Sequence, residues 1–581
     1  MKLGSRALLF LLVFALAQPH GHAANEDIVT LDTLTVSTPR HEWRYMRSPH
    51  FEILSAVDNS KLITRIMQRA EQIISVFEQS NTLFRMRREL PAKIIFINDQ
   101  GVERYLVLAG KDGLQYARDN PPPGVYLGRE ASDVRPILVS GFYDSEQAVF
   151  LKFMPQAYLD NETPFDERVT ENAIDLALNY LLMCVEIQAG CGSVLWLSTA
   201  LNSLRGHQQS TPPPPLGSPG FGSPIYRCKY RPAWFSIDDY EMSFGRYCVM
   251  CETALLSRAP DFPQGTSRDA IVNRRKIWRD FALAPNASLG EFLEPKPRKT
   301  RRVQRTVASR NASIIVAREA RDFVYYCTFA ADDKIREAFA RFVVNTNKQR
   351  TNESVFKEYF GMDYDTFRAR MYDFFGQLGK NDPEFKDNPW GPCAIVVAKF
   401  TRNDIPSLKF RPARRSETTR IVSDWFALCG ARDMARQVLL KTNDESVHAR
   451  NDPEFIAALG LSEAAHGRKY SAAAMLEKAM ASQKVVRPTA WRMLSRLRLE
   501  NLLALKGEKH RLTKDELDTV IEPLVEALKQ GVESQQTYVQ FAQAWAHTDV
   551  KLPREYIDLL AARVRAWPEN AELRDAVGKI R

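Results

Sequence analysis

The sequence predicts an α+β amino-terminal domain, a small sheet plus helices, followed by an all-α helical-repeat domain. Three observations predict it. Short β-branched or aromatic runs such as Phe51–Ser55 and Lys93–Ile97 bracket a segment with helical apolar spacing. The stretch Val169–Leu204 reads as two apolar helices joined at Ala189–Ser193. Beyond residue 416 the chain is a succession of amphipathic segments closed by Gly430, Gly467 and Gly507, at spacings of 37 and 40 residues. The expected order is residues 1–23, leader; 24–42, polar lead-in; 43–380, α+β domain; 381–415, linker; 416–581, helical-repeat domain.

Met1–Ala23 carries Lys2 and Arg6, then the apolar run Ala7–Ala17, then the small-residue site Gly21-His22-Ala23. That is the pattern of a secretory signal peptide. The run falls short of the ~20 apolar residues a bilayer span requires, and no later stretch reaches that length. The mature protein is therefore expected outside the cytoplasm, periplasmic or secreted, with no transmembrane segment. Net charge is +10, and much of the excess lies in Lys296–Arg310, which has seven basic residues and no acidic one. In an exported chain this reads as a solvated loop, with attraction to anionic envelope polymers or lipid as the functional alternative. No nucleic-acid partner is expected.

In chain order, Trp43–Ser55 ends in the alternating strand Phe51–Ser55. Ile63, Ile66, Met67, Ala70, Ile73, Ile74 and Phe77 recur at helical spacing. Lys93–Ile97, Val125–Leu127 and Ile137–Ser140 are strand candidates, and Ser145–Leu159 is expected to be a helix with Phe150, Leu151, Phe153 and Met154 inward. Pro212–Pro224 is a Pro/Gly/Ser loop with a stiff polyproline segment. It is a surface insertion, a partner-docking segment or a lid over the neighbouring cleft. Glu319–Phe375 returns to aromatic-rich helix, with Gly361 marking a turn. Asn381–Arg415 contains five prolines and reads as a linker.

The eight cysteines permit disulfides in an exported chain without fixing their connectivity. Cys248-Val-Met-Cys251 lacks the βαβ setting of a redox centre, and no second Cys-x-x-Cys exists to build a zinc ribbon. Buried or structural cysteines are expected.

The paired helices of 169–204 resemble the catalytic centre of the gluzincin metallopeptidases, in particular the peptidase MA-like family of exported bacterial proteins. In that family the first helix carries His-Glu-x-x-His and the second opens with Trp-Leu-x-Glu-Gly. Here Thr170-Glu171-Asn172-Ala173-Ile174 and Trp196-Leu197-Ser198-Thr199-Ala200 stand in those places. The resemblance covers about residues 43–380 in pieces, with insertions at 207–240 and 290–315. It implies a gluzincin-like fold in which a small sheet edges the cleft and Trp196 frames it.

The former metal-ligand positions would be Thr170, Ile174 and Thr199. Two imidazoles at i and i+4 share one helix face and reach one Zn²⁺. A third ligand leaves a coordination position for the water that the glutamate activates. Isoleucine has no donor atom and threonine offers only a neutral hydroxyl. Glu171 alone survives, as a vestigial base without a metal-bound water. No two histidines outside the leader are four residues apart. No metal cofactor is expected; zinc would return only if ligands came from elsewhere in the chain, making an active zinc-dependent peptidase.

Thr170, Ile174, Leu178 and Leu181 fall on one apolar stripe, so packing is expected to fill the metal-binding face. Arg168, Glu171, Asn172, Asp175 and Asn179 form a polar stripe beside it. Glu171 and Asp175 are either a solvated i,i+4 pair or a carboxylate pair in a cleft, the latter allowing a metal-free hydrolase.

In the carboxy-terminal half, Pro453–Met480 resembles a tetratricopeptide-type helix pair, and Trp567–Ala571 the junction between such repeats. Stacked pairs bury a continuous core and leave a groove for peptides or proteins. The function expected is a non-catalytic binding or scaffold protein of the cell envelope, with a protein or peptide as partner.

Overall fold

The computed structural model describes residues 43–84, 91–98, 137–144, 147–154, 156–160, 165–188, 197, 200–201, 235–237, 241–247, 320–329, 332–346, 351–381, 393–482, 485, 487–529, 535–566 and 570–580. The leader and lead-in, Val125–Leu127, Pro212–Pro224, Lys296–Arg310, Trp567 and Cys191, Cys228, Cys248 and Cys251 lie outside them. The described residues fall into two compact units, one drawn from Met1–Thr64, Arg87–Glu162 and Leu408–Arg581, the other from Arg65–Met86 and Thr163–Ser407. The protein is a small mixed sheet near the amino terminus with a helical domain at the carboxyl end, as the composition of segments implies. No helix among the described residues is long and apolar enough to cross a membrane.

In the first unit, β1 (Arg44–Arg47), β2 (Phe51–Ser55), β3 (Ala92–Ile97), β4 (Ile137–Asp144), β5 (Gln147–Phe153) and β9 (Arg411–Pro412) form one sheet in the order β4-β5-β3-β2-β1-β9. The β2–β3 and β3–β5 pairs are parallel, and the others are antiparallel. β2 and β3 are linked by α1 (Ser60–Ser80), whose seven helix-spaced apolar residues are all buried.

The helix expected over Ser145–Leu159 is instead strand β5 followed by a single helical turn, Gln156–Leu159. β5 lies between β4 and β3, and Val149–Phe153 is buried throughout, Lys152 included. A short run buried on both faces carries no period-two signal, so its spacing cannot distinguish strand from helix. The alternation read in Phe51–Ser55 does not mark a solvated face either, because Glu52 and Ser55 are as buried as their apolar neighbours.

The proline-rich 381–415 segment is not merely a linker. It contains β8 (Cys393–Lys399), which pairs with β7 (Glu241–Tyr247), itself paired with β6 (Phe235–Ile237), and β9, which pairs with β1. β9 is two exposed residues at the sheet edge, where proline is tolerated because the missing N–H faces no partner strand.

Helix α6 (Arg415–Leu428) lies on the sheet. Ile421, Val422, Trp425 and Phe426 share a core with Leu54, Ile95, Ile97, Val149, Leu151 and Phe153. The compact units therefore do not follow the division between 43–380 and 416–581: the sheet and the carboxy-terminal helices belong to one unit.

From there the chain runs through helical hairpins: α6 with α7 (Arg432–Glu445), α8 (Pro453–Ala465) with α9 (Lys469–Met480), and α10 (Pro488–Lys506) with α11 (Lys514–Lys529). α12 (Gln535–Ala546), α13 (Arg554–Ala566) and α14 (Ala571–Gly578) complete it. Gly430, Gly467 and Gly507, which follow the first helix of each hairpin, all take positive φ, the conformation only glycine adopts without steric cost. Inside the second hairpin the helices approach so closely that a Cβ on Gly460 would meet the Leu476 side chain at 2.9 Å.

In the second unit, α2 (Phe165–Gln188) is the first of the expected central helices, and Leu197, Ala200 and Leu201 are helical and buried beyond it. Asn81, at the end of α1, donates to the carbonyls of Cys327 and Arg336 at 3.3 and 3.1 Å. These belong to the helical stretch 320–329 and to α3 (Asp333–Thr346). Phe323, Phe339, Phe356, Phe360 and Phe367 pack ring on ring, the closest pair being Phe356 and Phe360 at 4.4 Å. Gly361, at φ 70°, turns α4 (Glu353–Phe360) into α5 (Tyr364–Asn381). The aromatic density is core.

Candidate functional site

α2 carries four of the six residues singled out from the sequence. Ile174 is 5 % exposed, and Leu178 and Leu181 continue its buried stripe. Thr170, at the head of that stripe, is half-buried. Glu171 and Asp175 are half-buried on the adjacent face with Arg168 and Asn179. Asn172, read as part of that polar stripe, is buried instead. Its amide donates to the Arg168 carbonyl at 2.8 Å, as Asn179 does to the Asp175 carbonyl at 2.7 Å. Back-bonding to the preceding turn satisfies one amide N–H of each. Trp196 and Thr199 lie outside the described residues.

The donor set at these positions does not fit zinc. Ile174 has no lone pair to give, and Thr170 supplies only a neutral hydroxyl. Among the described residues no three His, Cys, Asp or Glu side chains gather into a group that could hold a metal.

The same partly open face of α2 reaches Glu186, whose carboxyl burial pushes up to about 7. On the closed face, burial drives the Tyr180 hydroxyl and the Cys184 thiol well above their ordinary values. Cys184 and Cys327 are free buried thiols, and Cys429 is a free, half-buried thiol that burial pushes up to about 12. Thiols so raised are packing groups rather than nucleophiles.

The concentrated electrostatics lie in the first unit, at residues that sequence reasoning passed over. Glu52 on β2 and Lys93 on β3 are register partners, so both project from one face of the sheet toward α6. Arg420 and Asp424 are four residues apart on α6 and answer them with opposite charge. Arg420 grips Glu52 with two parallel hydrogen bonds of 2.8 and 2.6 Å, and Lys93 pairs with Asp424. All four side chains are buried. Tyr45 donates to Glu52 at 2.8 Å, and Arg411 caps the Tyr45 ring at 4.4 Å while forking onto Glu417. On the other side Arg487, also buried, donates to Asp424 at 2.6 Å and approaches Glu454 at 3.8 Å.

Burial opposes ionisation of Glu52, but the Arg420 charge and its hydrogen bonds override it and hold the carboxyl far below the usual range. Asp424 is held down in the same way, against its own burial, by Arg487 and Lys93. Lys93 goes the other way: burial, with Arg487 beside it, lowers its ammonium to about 8 despite Asp424. Lys93 is 3 % exposed and bonded to Asp424, so this amine is a lock between sheet and helix, not a nucleophile facing solvent. The signal that could have found the cluster was a charge inside each apolar strand, Glu52 in FEILS and Lys93 in AKIIFI.

Comparison of the chain with protein-family models, with curated proteins and with solved structures finds no match.

Proposed function

We propose that this protein is a non-catalytic protein- or peptide-binding scaffold of the cell envelope, acting outside the cytoplasm, in which a gluzincin-like frame has lost its metal chemistry. The observation that carries the reading is the packing of Ile174. An apolar side chain without a donor atom occupies the place of the second imidazole, inside a buried stripe that continues through Leu178 and Leu181. Thr170 and Thr199 would be the other vacated ligand positions, and Trp196 would frame the old cleft. Glu171 is then a vestigial base beside Asp175, with no activated water to deprotonate.

The binding half of the reading is supported by the helical hairpins of 415–529, whose successive glycine turns suit tetratricopeptide-like stacking and an extended surface. The test is metal analysis of the mature chain purified without chelator, together with binding and cleavage of a random peptide library. The expected result is substoichiometric zinc and peptide binding that Glu171→Gln leaves unchanged. One zinc per chain, with hydrolysis abolished by Glu171→Gln, overturns the reading.

A further inference from the structure

The most exposed large apolar side chains among the described residues are Tyr470, at 85 %, and Leu505, at 83 %. They stand at the same end of the α9–α10 pair. Lys469 at the start of α9 pairs with Glu500 near the end of α10 at 2.7 Å, and Glu477 further along α9 pairs with Arg498 at 2.7 Å, so the helices run antiparallel. Leu505 lies about 7.5 Å beyond Glu500 along the axis, level with the turn that precedes Tyr470. Both side chains therefore project from the edge formed by the Gly467 and Gly507 turns.

That edge carries four exposed cations. Arg468, Lys469, Lys506 and Lys509 are exposed. Lys469 is held by Glu500, Lys506 by Glu516, and Arg468 lies 3.8 Å from the buried Glu463; Glu508 and, against His466 beside the Gly467 turn, Asp433 are exposed acids of the same edge.

We propose that this edge is a membrane-contact site that seats Tyr470 and Leu505 in the interfacial layer of an anionic bilayer, with the four cations against its headgroups. Side chains this exposed stand off the protein, so a protein partner would have to supply the apolar pocket, whereas a lipid interface deforms around them. A tyrosine suits that layer because its ring is apolar and its hydroxyl remains hydrated. The lysine stems lie along the apolar zone while the ammonium groups stay at the headgroups, and a negative surface potential attracts them. The assignment goes beyond the scaffold reading and does not depend on it.

The test is co-sedimentation of the full mature chain with vesicles of phosphatidylglycerol and phosphatidylcholine in equal parts, against phosphatidylcholine alone. The expected result is binding to the anionic vesicles that weakens with salt. It should fall about tenfold or more in Tyr470→Ser/Leu505→Ser, from the lost apolar burial. Val447→Ser, at an apolar position 62 % exposed beyond the far end of α7, serves as the control and should bind like the wild type. Unchanged thermal melts establish that the variants are folded. Absence of binding to anionic vesicles overturns the proposal. So does binding indifferent to the double substitution, which would assign it to Lys296–Arg310. Capture of an acidic peptide by the wild type and not the double variant, without vesicle binding, overturns it in favour of protein docking.

Discussion

Helix α2 and the junction between the sheet and α6 invert each other. On α2 one face is filled by Ile174, Leu178 and Leu181, and the carboxylates Glu171 and Asp175 on the adjacent face stand half in solvent. Under α6, where a sheet and a helix would ordinarily meet through aliphatic side chains alone, Glu52, Lys93, Arg420, Asp424 and Arg487 are buried together. A charged residue in the sequence therefore marks chemistry only once its burial and partners are known. Buried ions exact a desolvation cost that good pairing offsets. Such clusters are weak evidence for stability and stronger evidence for a fixed mutual placement. Here the crossed pairs Glu52–Arg420 and Lys93–Asp424 admit one register of α6 on the strands, because sliding the helix by a turn would face like charge with like.

The comparison breaks most visibly at Asp424. Asp424→Ala strands Lys93 and Arg487 in the core, and urea unfolding should show a loss of about 3–5 kcal/mol. The double variant Lys93→Met/Asp424→Leu should recover part of that loss. If Asp424→Ala unfolded like the wild type, the cluster would be incidental.

On α2 the expected order is reversed with respect to charge. Ile174→Ala should cost about 2–4 kcal/mol through lost packing, and Glu171→Gln less than about 0.5 kcal/mol. A larger effect at Glu171 than at Ile174 would mean the polar face carries the structural weight.

The pH dependence sharpens the contrast. Lys93 holds its proton less tightly in the folded protein, at about 8, than at its ordinary value of 10.5. Between those values the unfolded chain binds more protons, so stability should rise with pH from 8 toward 10, by about 2 kcal/mol. The destabilisation is present in full below pH 8. Urea midpoints measured across this window should lose the slope in Lys93→Met. Glu171 variants should keep it.

A smaller loss than at Asp424 or Ile174 is expected at Gly460. Gly460→Ala must displace Leu476 and should lower stability by about 1–2 kcal/mol, visible as a lower melting temperature with the helical circular dichroism unchanged.

The helices were readable where they are amphipathic. Seven of the buried apolar positions of α1 recur at helical spacing, and Gly361, Gly430, Gly467 and Gly507 mark turns because a left-handed backbone disfavours other residues. Strand β5 was misread as helix because a run buried on both faces has no period. The α2 positions were readable as chemistry, since the absence of donor atoms at Ile174 is a property of the side chain itself. The cluster at Glu52 and Lys93 was not, because its partners at 420, 424 and 487 are hundreds of residues away.

Local chemistry thus fixed where the chain turns, which faces are apolar, and that Ile174 carries no donor atom. These follow from backbone sterics, side-chain periodicity and donor atoms, all present in a few consecutive residues. That 411–428 returns to complete and cover a sheet begun at residue 44, and that three buried cations and two buried carboxylates pair there, was settled by packing. Long-range pairing depends on the energy of a whole assembled core, and no window of the chain contains that quantity.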